Sequence, residues 1–303
     1  MTDAGVSHPP IFIVVGTGRS GSVFLAGLLR DSFSMGIAGE PKFVVPAARH
    51  VGRFEDLSTP AAVSQFASWL CTTYPNCFRE VARRTGVRLT PEAVAHGLDR
   101  ATYRDVVYRY FGLIAETIGC ARLAYRDPAD LGRMTDVAAI LPTARFVHIV
   151  RDGRDVARSY LGFEWGPTNL YAGAHAWARG VGAAAQQGNA LRERYLAISI
   201  ESLLREPTAV GARLGRLIPD ATPHEIDRFV ELVEERRKVD AAQPWKTTLS
   251  PKDIRRCEEA AAEQLRAYGY ELVTSPRPGA SVLNFPYRLL DVIIRAAGKV
   301  RAR

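Results

Sequence analysis

Two arginines, each just beyond a run of apolar residues, are the groups in this sequence best placed to do chemistry. The first is Arg19, inside the turn Gly16-Thr17-Gly18-Arg19-Ser20-Gly21-Ser22-Val23 that follows "IFIVV" at 11–15. Residues 16–21 spell G-x-G-x-x-G, the dinucleotide fingerprint. Gly16, Gly21 and Ser22 also have the spacing of a P-loop, but the P-loop lysine is missing. The loop can offer a phosphate its backbone N–H groups, the hydroxyls of Ser20 and Ser22, and one guanidinium. Glu40 lies at the distance of a ribose-binding carboxylate, as an NAD(P)-dependent oxidoreductase would need. Against that reading, 33–39 makes a poor second strand, and a dinucleotide turn relies on backbone approach and a helix dipole rather than on a charge. An ordinary ATPase reading lacks both the lysine and a Walker B strand.

The second arginine is Arg151, at the end of "RFVHIV" (145–150), with Ser159 eight residues later on the next helix. A strand-end guanidinium and a hydroxyl two helical turns on can converge on one dianionic phosphate. Taken alone, Arg151 and Arg154 read as surface cations paired with Asp152 and Asp155.

Together, "GTGRSGSVFLAGLL" and "VRDGRDVARSY" resemble the sulfotransferase superfamily that uses 3′-phosphoadenosine 5′-phosphosulfate (PAPS), with motifs similar to the protein-tyrosine sulfotransferases. The resemblance implies that Gly18, Arg19, Ser20, Gly21, Ser22 and Val23 hold the 5′-phosphosulfate, and that Arg151 and Ser159 hold the 3′-phosphate. It implies in-line transfer of a sulfuryl group to an acceptor hydroxyl or amine, with no metal. Arg19 would stabilise the leaving phosphate as a permanent cation, and Glu40 would be the general base. Arg126, in Arg126-Asp127-Pro128, stands where the family has a second catalytic cation; otherwise it pairs with Asp127 or a helix end. "SIESLLREP" (199–207) resembles a further family segment, with Ile200 where an aromatic is usual. "PWKTTLSPKDI" and "LRAYGYEL" resemble its C-terminal Trp element and closing helix, with Trp245 as a packing residue. Arg236-Arg237-Lys238 reads as a solvated helix face rather than a loop closing over the co-substrate. His148 reads as a core histidine; His50 and His175 have no fixed place. An oxidoreductase would leave Arg151 and Ser159 idle. A non-catalytic phosphonucleotide-binding protein would be favoured by loss of Arg19 or Glu40, and both are present.

The elements that must position these groups follow from the apolar patterning. Residues 11–15 and 145–150 read as buried strands, and 195–200 as a third. Residues 20–30 read as a helix opened by Ser20 or Ser22, with Phe24, Leu25, Leu28 and Leu29 on its core face, and another helix begins near Val156. Alternating strands and helices predict an α/β fold: a P-loop-like parallel sheet flanked by helices. Residues 59–120 read as a helical insertion shaping the acceptor cleft. A helix at 250–268 is capped by Ser250 and stopped by Gly269. One sulfotransferase domain is expected over 1–275, with a basic amphipathic tail over 276–303. That tail reads as docked on the domain, with peripheral membrane contact as the alternative.

The chain has 303 residues, 47% apolar and 24% charged, with net charge +8. That charge suits anionic ligands, but no segment forms the contiguous basic, aromatic-studded surface of a nucleic-acid binder. The four cysteines show neither C-x-x-C nor zinc spacing and read as reduced, packed thiols, with a Cys71–Cys77 bridge left open. "MTDAGVSHPP" lacks the pattern of a signal peptide, and no apolar run approaches the roughly 18–20 residues of a membrane span. A cytoplasmic, bacterial enzyme is expected. The acceptor stays open among small molecules, saccharides, lipids and peptides.

Overall fold

The computed structural model describes residues 10–237, 243–277, 279–280 and 284–301, apart from the side chains of 298–301. Its centre is β1 (Ile11–Val15), buried along its whole length. The strand's alternation sends Ile11, Ile13 and Val15 into one core and Phe12 and Val14 into another. A parallel strand covered on both faces has to be apolar throughout, which is why "IFIVV" stands out in the sequence.

Five parallel strands form the sheet in the order β2-β3-β1-β4-β5. β4 (Arg145–Val150) and β5 (Tyr195–Ser199) are the other two strands the sequence predicts. The remaining pair departs from expectation. Met35–Ile37 does form β2, a strand of three residues at the sheet edge, and Arg122–Arg126 forms β3 between β2 and β1. Both are short and lack a long apolar run, so pairing with a neighbour defines them more than composition does.

The helices cover both faces. α1 (Ser22–Phe33) turns Leu25, Leu28, Leu29 and Phe33 into the core around Phe12 and Val14. α2 (Pro60–Thr73), α3 (Pro75–Thr85), α4 (Pro91–Ala95) and α5 (Tyr103–Ile118) fill the region expected to be helical. Thr59, Thr90 and Thr102 cap three of them. Their buried side chains join Ile11, Ile13 and Val15 in a continuous core. α6 (Met134–Ile140) packs on the same side. A third core lies between α7 (Gly153–Tyr160), α8 (Leu170–Leu191) and α13 (Pro251–Ala267), around Trp177. α9 (Ile200–Arg205) and α12 (Trp245–Thr248) are short. α10 (Pro207–Leu217) and α11 (Pro223–Arg236) cover the face of α1, where Phe229 meets Phe33. α14 (Phe285–Arg301) is the expected tail helix.

Ser250 caps α13 and Gly269 follows it with φ 78°, as the sequence predicts. All four cysteines are free, so Cys71 and Cys77 are not bridged. His148 is a core residue: its Nδ1 lies 2.6 Å from the Tyr195 hydroxyl, and burial lowers its pKa to about 3. Among the described residues, no helix is long and apolar enough to cross a membrane.

Candidate active site

β1, β3 and β4 are adjacent and parallel, so the residues at their carboxyl ends share one edge of the sheet, the usual place for a ligand in this architecture. At Gly16 any side chain is excluded: a Cβ would lie 2.5 Å from Ser20 Oγ and 2.6 Å from the Ile149 carbonyl. The loop then folds on itself, with Ser20 N and Oγ both donating to the Thr17 carbonyl, at 3.2 and 2.7 Å. Ser20 is thereby turned inward and does not cap α1. The N-cap is Gly21, which makes no side-chain hydrogen bond, and the helix begins at Ser22. Arg19 (φ 71°) and Gly21 (φ 99°) are both left-handed, a backbone pattern that gathers N–H groups into an anion-binding nest. Beside it, the uncapped first turn of α1 leaves its N–H groups available to an anion. Val23 on that turn is 64% exposed.

Arg19 reaches across to the second loop. Its Nε donates to Ser159 Oγ at 3.0 Å, and its guanidinium lies 4.7 Å from the centre of the Phe163 ring. Tyr160 and Trp165 complete an aromatic wall; a Cβ on Gly18 would sit 3.2 Å from each. These three aromatics went unread in the sequence. Their signal is "SYLGFEW", directly after Ser159.

In the second loop Arg151 and Arg154 pair with Asp155 and Asp152, as the surface reading expects, but the carboxylates and Arg154 are buried. Arg151 is the looser member: its Nη2 is 3.8 Å from Asp155 Oδ2. Arg158 Nε is buried with no hydrogen-bond partner among the described residues. Arg154 is no surface cation; it is 1% exposed. It donates to both Asp152 oxygens at 2.8–3.0 Å, to Glu258 Oε1 at 2.6 Å and to the Glu271 carbonyl at 2.9 Å. Its guanidinium also stacks 3.7 Å from the Trp245 ring. Trp245 is buried, as expected, and has polar duties too: Nε1 donates to Asp152 Oδ2 and the backbone N–H to Asp155 Oδ1, both at 2.9 Å. Burial raises the Asp155 carboxyl to about 6, against the pull of Arg151. Glu201 accepts from the Asp152 N–H at 3.0 Å and the Tyr270 hydroxyl at 2.8 Å, and burial raises its pKa. Its neighbour Ile200 lies 3.1 Å from where a Cβ on Gly21 would be, so the aliphatic side chain packs on the glycine loop.

Glu40 and Arg126 form a third cluster. Arg126 ends β3, opposite Val14 in register, and its N–H donates to the Gly39 carbonyl at 3.0 Å. Its Nη1 is 2.5 Å from Glu40 Oε1, while Lys42 Nζ is 3.5 Å from Oε2. Arg126 therefore pairs with Glu40, in place of the Asp127 or helix-end partner considered from sequence. Asp127 is buried and accepts from the Ala129 N–H at 2.9 Å; burial raises its pKa, and the Glu40 charge adds to the shift. Asp130, bonded to the Tyr125 hydroxyl at 2.9 Å, is raised to about 7, again mainly by burial.

The basic run near 236 points elsewhere. Arg236 pairs with Asp31 and Arg237 with Glu234, both at 2.7 Å, and Lys238 lies outside the described residues. His50 packs against Trp69 and His175 against Tyr171. Among the described residues, no group of three or more His, Cys, Asp or Glu is placed to hold a metal ion.

A model of the Sulfotransferase family matches residues 9–218. No curated protein matches the chain in sequence. Among solved structures, sulfotransferase STF9 from Mycobacterium avium shares the fold, with TM-score 0.50 and 14% identity over 90% of this chain and 80% of that one. Mouse sulfotransferase SULT7A1 complexed with PAP gives a TM-score of 0.45 and 13% identity, covering 86% of each chain.

Proposed function

The chain belongs to the Sulfotransferase family, and we propose that it moves the sulfuryl group of PAPS to an acceptor hydroxyl or amine by in-line displacement. The observation that carries this reading is the contact of Arg19 with Ser159 at 3.0 Å. It joins the two loops, one expected at each phosphate end of a single nucleotide, at the carboxyl edge of β1 and β4. The loops also fit such an anion in detail. The first offers a left-handed nest and uncapped helix amides. The second offers Arg151, held at 3.8 Å, and the unpartnered Nε of Arg158.

In this reading the nest and Ser22 bind the 5′-phosphosulfate, and Arg151 and Ser159 bind the 3′-phosphate. The bond to sulfur breaks as the acceptor oxygen or nitrogen attacks from the opposite side. Negative charge builds on the bridging oxygen of the departing 3′,5′-diphosphate. Arg19 stabilises that charge without giving up a proton, as a guanidinium must. Glu40 takes the acceptor's proton, with Arg126 holding the carboxylate by Oε1 and the exposed Lys42 3.5 Å from Oε2 giving way to the acceptor. The acceptor belongs to the small-molecule, saccharide, lipid or peptide hydroxyls and amines.

Calorimetric titration with 3′,5′-adenosine diphosphate, alongside NAD and ATP, tests the reading. Sub-millimolar binding of the diphosphate, weakened in Arg151→Ala, is expected. Tight NAD binding with no response to the diphosphate would overturn it.

A further inference from the structure

An amphipathic helix at the surface of a globular domain ordinarily buries its apolar stripe. α14 does the reverse. It is fastened by polar groups: Asp291 Oδ1 accepts from Thr168 N and Oγ1 at 2.6 and 3.0 Å, and the Tyr287 carbonyl accepts from Asn169 Nδ2 at 2.9 Å. The Tyr287 hydroxyl accepts from Arg256 Nη2 at 2.6 Å, with the Arg256 guanidinium 4.8 Å from the ring centre. At about 100° per residue, Tyr287 and Asp291 share one side of the helix, and Phe285, Leu289, Val292 and Ile293 share the other. Those four, with Leu290 and Ile294, are 46–63% exposed. On the docked side, Tyr287 and Arg256 line a cavity of about 250 Å³ with Leu161 and Thr168, and none of the stripe residues takes part in it.

We propose that this outward face of α14 seats the protein on an anionic lipid bilayer, with the helix lying in the interface plane. Charge selects the occupant. Residues 285–303 carry five basic side chains, Arg288, Arg295, Lys299, Arg301 and Arg303, and a single acidic one, Asp291. Asp291 is turned inward to Thr168 and lies 3.7 Å from Arg295, so four of the five cations have no acid within the tail to answer them. A second copy packed on the same stripe would set arginines against arginines. The exposed face is the convex side of one helix, carrying apolar side chains. A fluid acyl layer with anionic headgroups meets both the shape and the charge. The helix spans 17 residues and is interrupted by Arg288, Asp291 and Arg295, so it lies on the bilayer rather than across it. This surface stands on the geometry of α14 alone and is independent of the reaction proposed above.

Co-sedimentation of the full chain with vesicles tests it. The protein is expected to sediment with phosphatidylcholine vesicles containing one-third phosphatidylglycerol, at least about tenfold more tightly than with phosphatidylcholine alone, and to be released by high salt. Val292→Glu with Ile293→Glu is expected to lower that affinity at least about tenfold, because a charge at an interfacial apolar position opposes insertion. Both side chains are exposed, so circular dichroism and thermal unfolding should match those of the unaltered chain. Failure to sediment with either vesicle, or unchanged binding by the double variant, overturns the proposal. So does a dimer in solution that the double variant converts to monomer, because the stripe would then be a contact between copies.

Discussion

Arg19 and Ser159 are 140 residues apart in the chain and 3.0 Å apart in space, joined by a hydrogen bond from Nε to Oγ. The two motifs they come from therefore lie side by side, and the serine expected at one end of the nucleotide touches the arginine expected at the other. Phe163, beneath the guanidinium, restricts the arginine further. The left-handed backbone at Arg19 is a conformation that non-glycine residues rarely adopt, and the loop and its partners hold it there.

Removing either member of the second loop should weaken nucleotide binding. If Arg151 binds the 3′-phosphate as proposed, Arg151→Ala deletes charge-assisted hydrogen bonds and should lower the affinity for 3′,5′-adenosine diphosphate about 10- to 100-fold. Ser159→Ala deletes one hydrogen bond from an uncharged donor and should cost less, about tenfold. Calorimetry at one fixed salt concentration reads both. Unchanged affinity in the pair would remove this loop from the nucleotide.

Glu40 and Arg126 should behave as a unit. Glu40→Gln should lower kcat by about 100-fold or more with the diphosphate affinity intact, because a general base is lost. If Arg126 acts by holding Glu40 at 2.5 Å, adding Arg126→Ala to Glu40→Gln should cost little more. Fully multiplicative losses would show that Arg126 acts on its own, and unchanged turnover in Glu40→Gln would move the base elsewhere.

How much of this was legible follows from where the determining contacts lie. β1, β4 and β5 are visible as apolar or β-branched runs, since strands buried in a parallel sheet tolerate little else. β3 is "RLAYR", with charge at both ends, and becomes a strand by lying between β1 and β2. The tight turn between β1 and α1 could be read from spacing because backbone geometry demands glycine at 16 and 21. Arg154 could not be placed: "RDGRD" looks solvated, and its burial depends on Trp245 and on Glu258, 104 residues away. The partner of Arg126 was hidden for the same reason, since Glu40 lies on a different strand connection.

The buried Arg154 network should be a stability element rather than a catalytic one. Arg154→Ala would leave Asp152 and Glu258 buried without their counter-charge, at a cost of about 3–5 kcal/mol. Trp245→Phe removes a single hydrogen bond to Asp152 and should cost about 1 kcal/mol. Urea denaturation followed by circular dichroism separates the two. A small effect of Arg154→Ala would mean that water or relaxation replaces the guanidinium.

Asp155 should make stability depend on pH in a defined direction. Its carboxyl is raised from 3.8 to about 6, with burial the largest cause and Arg151 pulling the other way. Between pH 4 and 6 the folded chain therefore holds a proton that the unfolded chain has released. The contribution of this group to stability is complete below pH about 4, declines as pH rises, and is gone above about 6. Asp155→Asn keeps an oxygen to accept the Trp245 N–H, now 2.9 Å from Oδ1, and cannot ionise. The stability of Asp155→Asn relative to the parent should accordingly rise across that window and level off above it. The gain should be on the order of 1–3 kcal/mol, from about 1.4 kcal/mol per pKa unit. Denaturation at pH 4, 5, 6 and 7 measures the difference directly. A difference that stays flat over the four points would mean that Asp155 ionises as an ordinary carboxylate and that Arg151 offsets its burial.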